Sequence, residues 1–307
     1  MPIRVQDNLP VKRILEKENI FVMGEKRAIH QDIRPAEIAI LNIMPLKEDT
    51  ELAILRSLSN TLLQVNITLL TTVSHQSSHT SASHLNTFYQ TFSDVRRRCF
   101  DGLIITGAPV ELLEYEKVDY WDEICEILDW SRSHVTSTLC LCWGAQAALY
   151  HFYGIEKKTL SRKMFGVFPH KVLHKKTPLI RGFDDVFYAP HSRHTIIDEE
   201  NLRAQKNIII LAESKHAGIY LCMEKDGSLV YCMGHPEYDR MTLDTEYKRD
   251  LEKGLSIELP ENYYPDNNVN RKPKLQWRGH ANILYSNWLN YYVYQNTPYE
   301  FNCIIKD

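Results

Sequence analysis

The stretch VTSTLCLCWGAQAAL, residues 135–149, changes its pattern at a cysteine. Residues 135–141 are the β-branched and apolar types of a buried strand, whereas small residues typical of a helix follow Cys142. A thiol on a sharp strand-to-helix turn points away from the sheet, and the helix N–H groups and dipole favour its thiolate. The stretch therefore predicts a nucleophile at a strand end. On this stretch alone, a buried structural cysteine is an equal alternative.

Strand and helix patterns alternate along the rest of the chain. Strands are predicted at residues 37–44, 65–72, 102–109, 135–141, 207–214 and 217–224 and just before Gly234, and helices at 46–62, 118–132 and 277–292. Such alternation indicates βαβ units, and hence an α/β fold with a mostly parallel sheet, helices on both faces and a C-terminal helical extension. Ligands bind beyond the carboxyl ends of such strands, where both Cys142 and the Gly107-Ala108-Pro109 turn fall.

Composition excludes several classes of function. The 307 residues are 44% hydrophobic and 24% charged, enough for one large domain with extensions, and the net charge of -3 offers no field for nucleic acid or an anionic membrane. The basic run Arg96-Arg97-Arg98 is expected to be an exposed helix end. Residues 1–23 lack a signal-peptide pattern and no apolar run could span a bilayer, so we expect a cytoplasmic protein.

Cysteine and histidine spacing argues against a disulfide framework and against zinc. The seven cysteines are an odd number without CxxC or Cys/His zinc spacing, so free thiols in a reducing compartment are expected. The Ser- and His-rich stretch at residues 73–84 offers its histidines no neighbouring carboxylate or cysteine, and we expect a solvated loop there.

A second motif, LVYCMGHPEYDRM at residues 229–241, strengthens the case for catalysis. His235 and Glu237 follow a predicted strand end, with a proline fixing the backbone between them. A histidine can take the proton of a thiol while a carboxylate holds the imidazole tautomer, so Cys142, His235 and Glu237 are predicted to form a catalytic triad. Taken alone, Glu237 could instead be the first-turn acid of a helix beginning near Tyr238.

The chain resembles the homoserine O-acyltransferase family of methionine biosynthesis over nearly its whole length. The resemblance is carried by MPIRV, LNIMPLK, ITGAPVE, LCLCWGAQAAL, KMFGVF, PHSRHT, GHPEYD and YYPDNN. It implies a class I glutamine amidotransferase-like fold, with an N-terminal extension at 1–35, a catalytic domain at 36–255 and a C-terminal loop and helix at 256–307. It also implies acyl transfer from an acyl-CoA to the side-chain hydroxyl of L-homoserine through a cysteine thioester.

The residues supply a mechanism for that reaction. Thiolate Cys142 attacks the thioester, and the N–H groups of Trp143 and of the turn at Ala108 stabilise the oxyanion. His235 then deprotonates the homoserine hydroxyl, which gives ping-pong kinetics. No metal or resident cofactor is expected, with acetyl-CoA as co-substrate.

The family pattern also supplies substrate contacts. It places Lys163, Ser192 and Arg249 on the amino and carboxylate groups of homoserine. His191 and His194 flank Ser192, but without a carboxylate ligand nearby we expect no metal there.

Glu111 is predicted to select the acyl group. It follows the turn of the oxyanion hole, so its carboxylate can reach the far end of the acyl chain and repel the carboxylate of a succinyl group. In the family, members that use succinyl-CoA tend to carry glycine at this position and acetyl users glutamate. We therefore expect acetyl-CoA as donor, with succinyl-CoA as the alternative.

Two other functions remain open from the sequence. A glutamine amidotransferase or glutaminase would use the same elbow and histidine on a glutamine amide, and a ligand-binding protein could be built on the same sheet. The aromatic C-terminal helix leaves room for a homodimer contact as well as for core packing.

Overall fold

A computed structural model describes residues 3–6, 8–18, 22–24, 34–74 and 80–297. The strands are β1 (Ile3–Val5), β2 (Val22–Gly24), β3 (Ala36–Leu41), β4 (Val65–Thr71), β5 (Tyr89–Thr91), β6 (Phe100–Ile105), β7 (Val135–Leu141), β8 (Lys157–Val172), β9 (Val186–Ile197), β10 (Ile208–Ser214), β11 (Gly218–Glu224) and β12 (Leu229–Cys232). The α-helices are α1 (Pro10–Lys17), α2 (Lys47–Leu58), α3 (Ala82–Phe88), α4 (Phe92–Val95), α5 (Trp121–His134), α6 (Trp143–Tyr153), α7 (Glu199–Ala204), α8 (Thr242–Glu252) and α9 (Arg278–Asn287), which continues as a π-helix (Trp288–Tyr294). Short 3₁₀ turns lie at Tyr115–Lys117, Pro178–Ile180 and Pro265–Asn267.

In the described part of the chain, all twelve strands belong to one sheet. Its order is β2-β1-β4-β3-β6-β7-β12-β11-β10-β8-β9, with β5 beside β4. The pairs from β2 to β12 are parallel, and those from β12 to β9 are antiparallel. The carboxyl ends of β3, β6, β7 and β12 therefore meet at one edge, which places the segments around Gly107, Cys142 and His235 together.

Apolar side chains cover both faces of the sheet, as the nearly continuous hydrophobic strands require. Helices α1, α2 and α9 pack on one face through Leu15, Leu55 and Leu284. Helices α5 and α6 pack on the other, through residues such as Ile127 and Leu149. The predicted α/β architecture is confirmed.

Local patterns located most of the parallel strands but not the long hairpin. The strand predicted at 135–141 matches β7, and the C-terminal helix lies where the aromatic spacing predicts it. The predicted helix after β3 is shorter, and Leu62 lies beyond its end with 86% of its surface exposed. The helix expected near Tyr238 begins at Thr242. Strands β8 and β9, which pair antiparallel over most of their length, were not predicted.

One expectation about an individual side chain is wrong. His84 is buried in α3 rather than solvated, because its Nε2 lies 2.8 Å from Glu51 Oε1, a partner 33 positions away that local sequence does not reveal. Cys125, Cys140, Cys142, Cys222 and Cys232 are free. As expected, Arg96, Arg97 and Arg98 are exposed.

The C-terminal helix packs into the core of the same chain. Trp277, Tyr285 and Trp288 are at most 1% exposed, and Trp288 Nε1 donates to Ser137 Oγ on β7 at 3.0 Å. These aromatic residues therefore serve core packing, and the predicted homodimer contact would need other surfaces. None of the helices within the described ranges has the length and apolar character needed to cross a membrane.

We expect Trp288→Ala to lower the free energy of unfolding by about 3–5 kcal/mol, because it empties a fully buried site against the face of β6 and β7. The matched control is Tyr294→Ala, since Tyr294 lies in the same π-helix but is 50% exposed and should cost at most about 0.5 kcal/mol. Urea denaturation measures both. Similar losses for the two variants would show that Trp288 does not anchor this segment.

Candidate active site

Cys142 lies at a strained turn between β7 and α6. Its backbone has φ 48° and ψ -115°, a conformation that residues with a side chain rarely adopt. The Cys142 N–H donates to the carbonyl oxygen of Cys232 on β12 at 2.7 Å. Gly144 lets the helix start close to β6, since a Cβ there would lie 2.6 Å from the carbonyl oxygen of Thr106. The fold therefore holds the cysteine in the geometry of a nucleophile elbow.

The turn after β6 lies against the thiol. A Cβ added to Gly107 would be 3.2 Å from Cys142 Cβ, 3.8 Å from its Sγ and 3.7 Å from His235 Cε1. Ala108 follows in the same turn, and Trp143 is the first residue of α6, where helix N–H groups have no partner within the helix. Both predicted oxyanion donors thus belong to segments next to the nucleophile, and their role stays a prediction.

His235 and Glu237 are arranged as the second and third members of a triad. His235 Nδ1 lies 2.7 Å from Glu237 Oε1, and the imidazole is close enough to the Cys142 thiol for the two to interact electrostatically. The ring of Tyr238 stacks on His235 with centroids 4.1 Å apart, and the His235 N–H donates to the carbonyl of Pro190 at 3.0 Å. His235 is therefore held in place both at the face of its ring and at its backbone.

The electrostatics favour a charged histidine. Burial disfavours the imidazolium, but the interactions of His235 with Cys142 and Glu237 outweigh burial and raise the pKa of His235 well above its usual value. An imidazolium that persists at neutral pH can act as a general acid towards a leaving group. In contrast, burial raises the pKa of the neighbouring Cys232 thiol to about 12, which leaves it inert.

Lys163, Ser192 and Arg249 lie around two carboxylates of α8. Lys163 Nζ is 3.2 Å from Asp250 Oδ2 and 3.7 Å from Glu246 Oε2. The Ser192 hydroxyl donates to Glu246 Oε2, while Arg249 donates through Nε and Nη2 to Asp250 Oδ1 at 2.8 and 2.7 Å. The structure therefore brings the three predicted substrate residues together.

Glu246 is a residue that sequence reasoning missed. Besides Ser192 and Lys163, it accepts a hydrogen bond from the Tyr238 hydroxyl at 2.7 Å, and Tyr238 stacks on the catalytic imidazole. Glu246 lies three positions before Arg249 and four before Asp250, so all three share one face of α8. That spacing is the signal that could have identified it.

Glu111 lies on the other side of β9. Its Oε2 accepts from Thr195 Oγ1 at 3.3 Å, and Thr195 also contacts Gln146 Oε1 at 2.9 Å in the first turn of α6. Beside them the guanidinium of Arg193, 1% exposed, donates to the carbonyl oxygens of Thr195 and Ala217. Arg193, which the sequence analysis did not select, interacts electrostatically with both Cys142 and Glu111. A buried cation thus accompanies the predicted acyl selector.

Strand β9 separates these two groups of side chains by its alternation. His191, Arg193 and Thr195 are buried on one side, whereas Ser192 and His194 are partly exposed on the other. His191 Nε2 lies 3.0 Å from His170 Nε2, and burial, followed by the Arg193 charge, lowers the pKa of His191 well below its usual value. His191 and His194 therefore point apart. Among the described residues, no group of three or more His, Cys, Asp or Glu could hold a metal.

Comparisons with known proteins agree with the resemblance. The family whose model matches the chain, over residues 2–299, is homoserine O-succinyltransferase. A protein named homoserine O-acetyltransferase from Agathobacter rectalis is 65% identical, with 98% of this chain and 97% of that protein covered. One of the same name from Lachnoclostridium phytofermentans is 63% identical, with 98% and 100% covered. A solved glutamine amidotransferase structure from Thermotoga maritima has a TM-score of 0.55 at 10% identity, covering 84% of this chain and 98% of that one. This last likeness confirms the predicted fold alone.

We expect the rate at which iodoacetamide alkylates Cys142 at pH 6 to depend on the charge of His235, whose raised pKa keeps the imidazole cationic there. In a His235→Asn variant the imidazolium is gone, so the rate at pH 6 should fall about tenfold or more. Peptide mass spectrometry locates the label. The half-buried Cys125 serves as an internal control, because burial first, and the Asp129 charge second, raise its pKa to about 11. Identical pH profiles for parent and variant would exclude a thiolate–imidazolium pair.

Proposed function

The chain belongs to the homoserine O-succinyltransferase family, and we propose that it acts as a homoserine O-acetyltransferase, forming O-acetyl-L-homoserine and CoA from acetyl-CoA and L-homoserine. The observation that carries this function is the Cys142–His235–Glu237 arrangement beside the polar cluster of Lys163, Ser192 and Glu246. The acetyl group is supported by the names of the similar proteins and by Glu111.

The first half-reaction forms a thioester on the protein. The Cys142 thiolate attacks the acetyl carbonyl carbon of acetyl-CoA, and N–H groups of Trp143 and Ala108 stabilise the oxyanion. The intermediate collapses by breaking the bond to the CoA sulfur, and His235 gives its proton to that leaving thiolate. Acetyl-Cys142, CoA and a neutral imidazole result. No metal or resident cofactor takes part in this proposal.

The second half-reaction passes the acetyl group to homoserine. Neutral His235 removes the proton of the homoserine hydroxyl as its oxygen attacks the thioester carbonyl. Collapse of the second tetrahedral intermediate breaks the C–S bond, which releases the ester and restores the Cys142 thiolate and the His235 imidazolium. Glu237, at 2.7 Å from Nδ1, keeps Nε2 directed at the reacting groups in both halves.

The polar cluster suits the α-amino and carboxylate groups of homoserine. Lys163 and Arg249 are cations that can bind the carboxylate, Arg249 through two parallel hydrogen bonds in place of those it makes to Asp250. Glu246 supplies the negative charge that the substrate's ammonium group needs. The hydroxyl of Ser192, which donates to Glu246, lies beside it as a further polar contact. Because Tyr238 links Glu246 to the His235 ring, the substrate is held next to the base.

The acyl pocket is proposed to distinguish acetyl from succinyl by charge. Two carboxylates about 4 Å apart repel by about 4 kcal/mol at an effective dielectric near 20, and Arg193 offsets part of that repulsion. With Glu111 present, the positive charge of Arg193 is already compensated by a carboxylate. A succinyl carboxylate therefore gains no net electrostatic attraction in the pocket. Acetyl ends in a methyl group and carries no such cost.

The family implies a place in methionine biosynthesis, and we propose a cytoplasmic enzyme that acts on small molecules and not on nucleic acid or membranes. A homodimer stays a prediction. Glutaminase activity is the rival function, since the fold is shared with glutamine amidotransferases. Incubation with glutamine separates the two, because a glutaminase would release glutamate.

We expect acetyl-CoA alone, without homoserine, to leave one acetyl group on Cys142, detected by mass spectrometry of the intact protein and its peptides. Addition of L-homoserine should remove the label and yield O-acetylhomoserine. Cys142→Ala should take up no acetyl group and lose turnover by roughly four orders of magnitude or more while keeping its circular dichroism spectrum. Substantial turnover by this variant would contradict the covalent mechanism.

We expect Glu111→Gly to raise kcat/KM for succinyl-CoA by roughly tenfold or more, because it removes a negative charge and frees Arg193 for the succinyl carboxylate. The control is Glu114→Gly, an exposed carboxylate three residues away that should change nothing. Steady-state kinetics with both donors provide the measurement. Equal use of the two donors by the parent protein, or no gain in the glycine variant, would show that Glu111 is not the selector.

A further inference from the structure

Two buried polar atoms at the triad glutamate and next to it have no protein hydrogen-bond partner among the described residues. Glu237 Oε2 is one, although Oε1 of the same carboxylate is bonded to His235. The hydroxyl of Tyr285, on α9, is the other. The Glu237 side chain is 9% exposed and Tyr285 is 0% exposed, so bulk water does not satisfy them. Buried groups of this kind are normally hydrogen-bonded, often to an internal water.

The two groups lie near the same cavity of about 570 Å³. Pro236, Glu237 and Tyr238 form one part of its wall, and Ala281 and Asn282 of α9 another. Tyr285 follows Ala281 by four positions and shares its face of the helix, and helical side chains lean towards the N-terminus, that is, over Ala281. Burial first, and the Glu237 charge second, raise the pKa of Tyr285 well above its usual value, in agreement with this placement.

The arginines of the cavity wall have other partners. Arg56 donates to Glu18 at 2.7 and 2.6 Å, and Arg240 donates to the carbonyl of Pro273 at 2.7 Å. The charge of Arg278 acts on Glu18. Tyr285 is a buried donor without a protein partner among the described residues, and the Glu237 charge acts on it, so it matches Glu237 Oε2.

We propose that Tyr285 is a positioning residue of the triad, whose hydroxyl donates to one internal water that in turn donates to Glu237 Oε2. The water links a donor and an acceptor that do not bond each other directly. With both oxygens bonded, the carboxylate cannot rotate away from His235. The C-terminal helix would thus contribute to catalysis. This inference rests on the proposed function, since Glu237 matters only if it orients His235.

The test is Tyr285→Phe, which removes one oxygen from a buried ring. We expect kcat/KM for acetyl transfer to fall roughly tenfold. The loss should appear in kcat and not in KM, because the substrate contacts are untouched while the imidazole is less well oriented. The matched control is Tyr231→Phe, since Tyr231 is equally buried and its partner Glu224 keeps hydrogen bonds from Arg132 and Tyr153. An equal loss in Tyr231→Phe would show a structural effect alone and would overturn the inference.

A double-mutant cycle separates this inference from the proposed function. If Tyr285 acts through Glu237, adding Tyr285→Phe to Glu237→Gln should cause no further loss, whereas multiplied losses would overturn the inference. A Glu237→Gln variant as fast as the parent would remove Glu237 from the triad and the proposed mechanism with it. A slow Glu237→Gln together with an unchanged Tyr285→Phe would overturn the role of Tyr285 alone.

Two further measurements do not depend on activity. The proton between His235 Nδ1 and Glu237 should give a far-downfield NMR signal that shifts in Tyr285→Phe and stays in place in Tyr231→Phe. A high-resolution crystal structure of the parent protein should show a water within hydrogen-bond distance of both Tyr285 Oη and Glu237 Oε2. If that site holds no water, the proposal fails even if Tyr285→Phe does not fold.

Discussion

The active site depends on one unfavourable backbone conformation, the positive φ of Cys142. A residue with a side chain in this region costs on the order of 1–3 kcal/mol, which the surroundings must supply. They do so through the hydrogen bond from Cys142 to β12 and through the close approach of α6 to β6 that Gly144 permits. The same turn begins α6 and directs the thiol to the sheet edge. Packing of β6, β7 and β12 therefore stabilises the nucleophile.

The parts of this site that the sequence predicts are those whose signals are local. β7, Cys142 and α6 follow one another without a gap, so the change from strand to helix residues marks the elbow. His235 and Glu237 are two positions apart, and the intervening proline restricts the backbone between them. An imidazole N–H and a carboxylate oxygen are natural hydrogen-bond partners, so the pair could be predicted from these residues alone. The positions of Lys163, Ser192 and Arg249 came from family motifs, and the structure brings them together.

What the sequence does not predict depends on pairs far apart along the chain. Strands β8 and β9 mix charged and apolar residues, because each alternates buried with partly exposed positions over part of its length, and a long connection joins them. Glu246 gains its importance from Ser192, 54 positions away. Arg193 lies in a polar sequence motif, yet it is buried, and the backbone carbonyls of Thr195 and Ala217 accept hydrogen bonds from its guanidinium.

The alternation of β9 has an evolutionary consequence. Ser192 faces the side of Lys163 and α8, whereas Arg193 and Thr195 face the side of Glu111 and α6. Point substitutions on one side therefore leave the other group of side chains intact, and under the proposed function each would change the recognition of one substrate alone. Insertion or deletion of a single residue would instead exchange the two sets of side chains. We expect lineages to tolerate changes of residue identity in this strand, but not changes of its length.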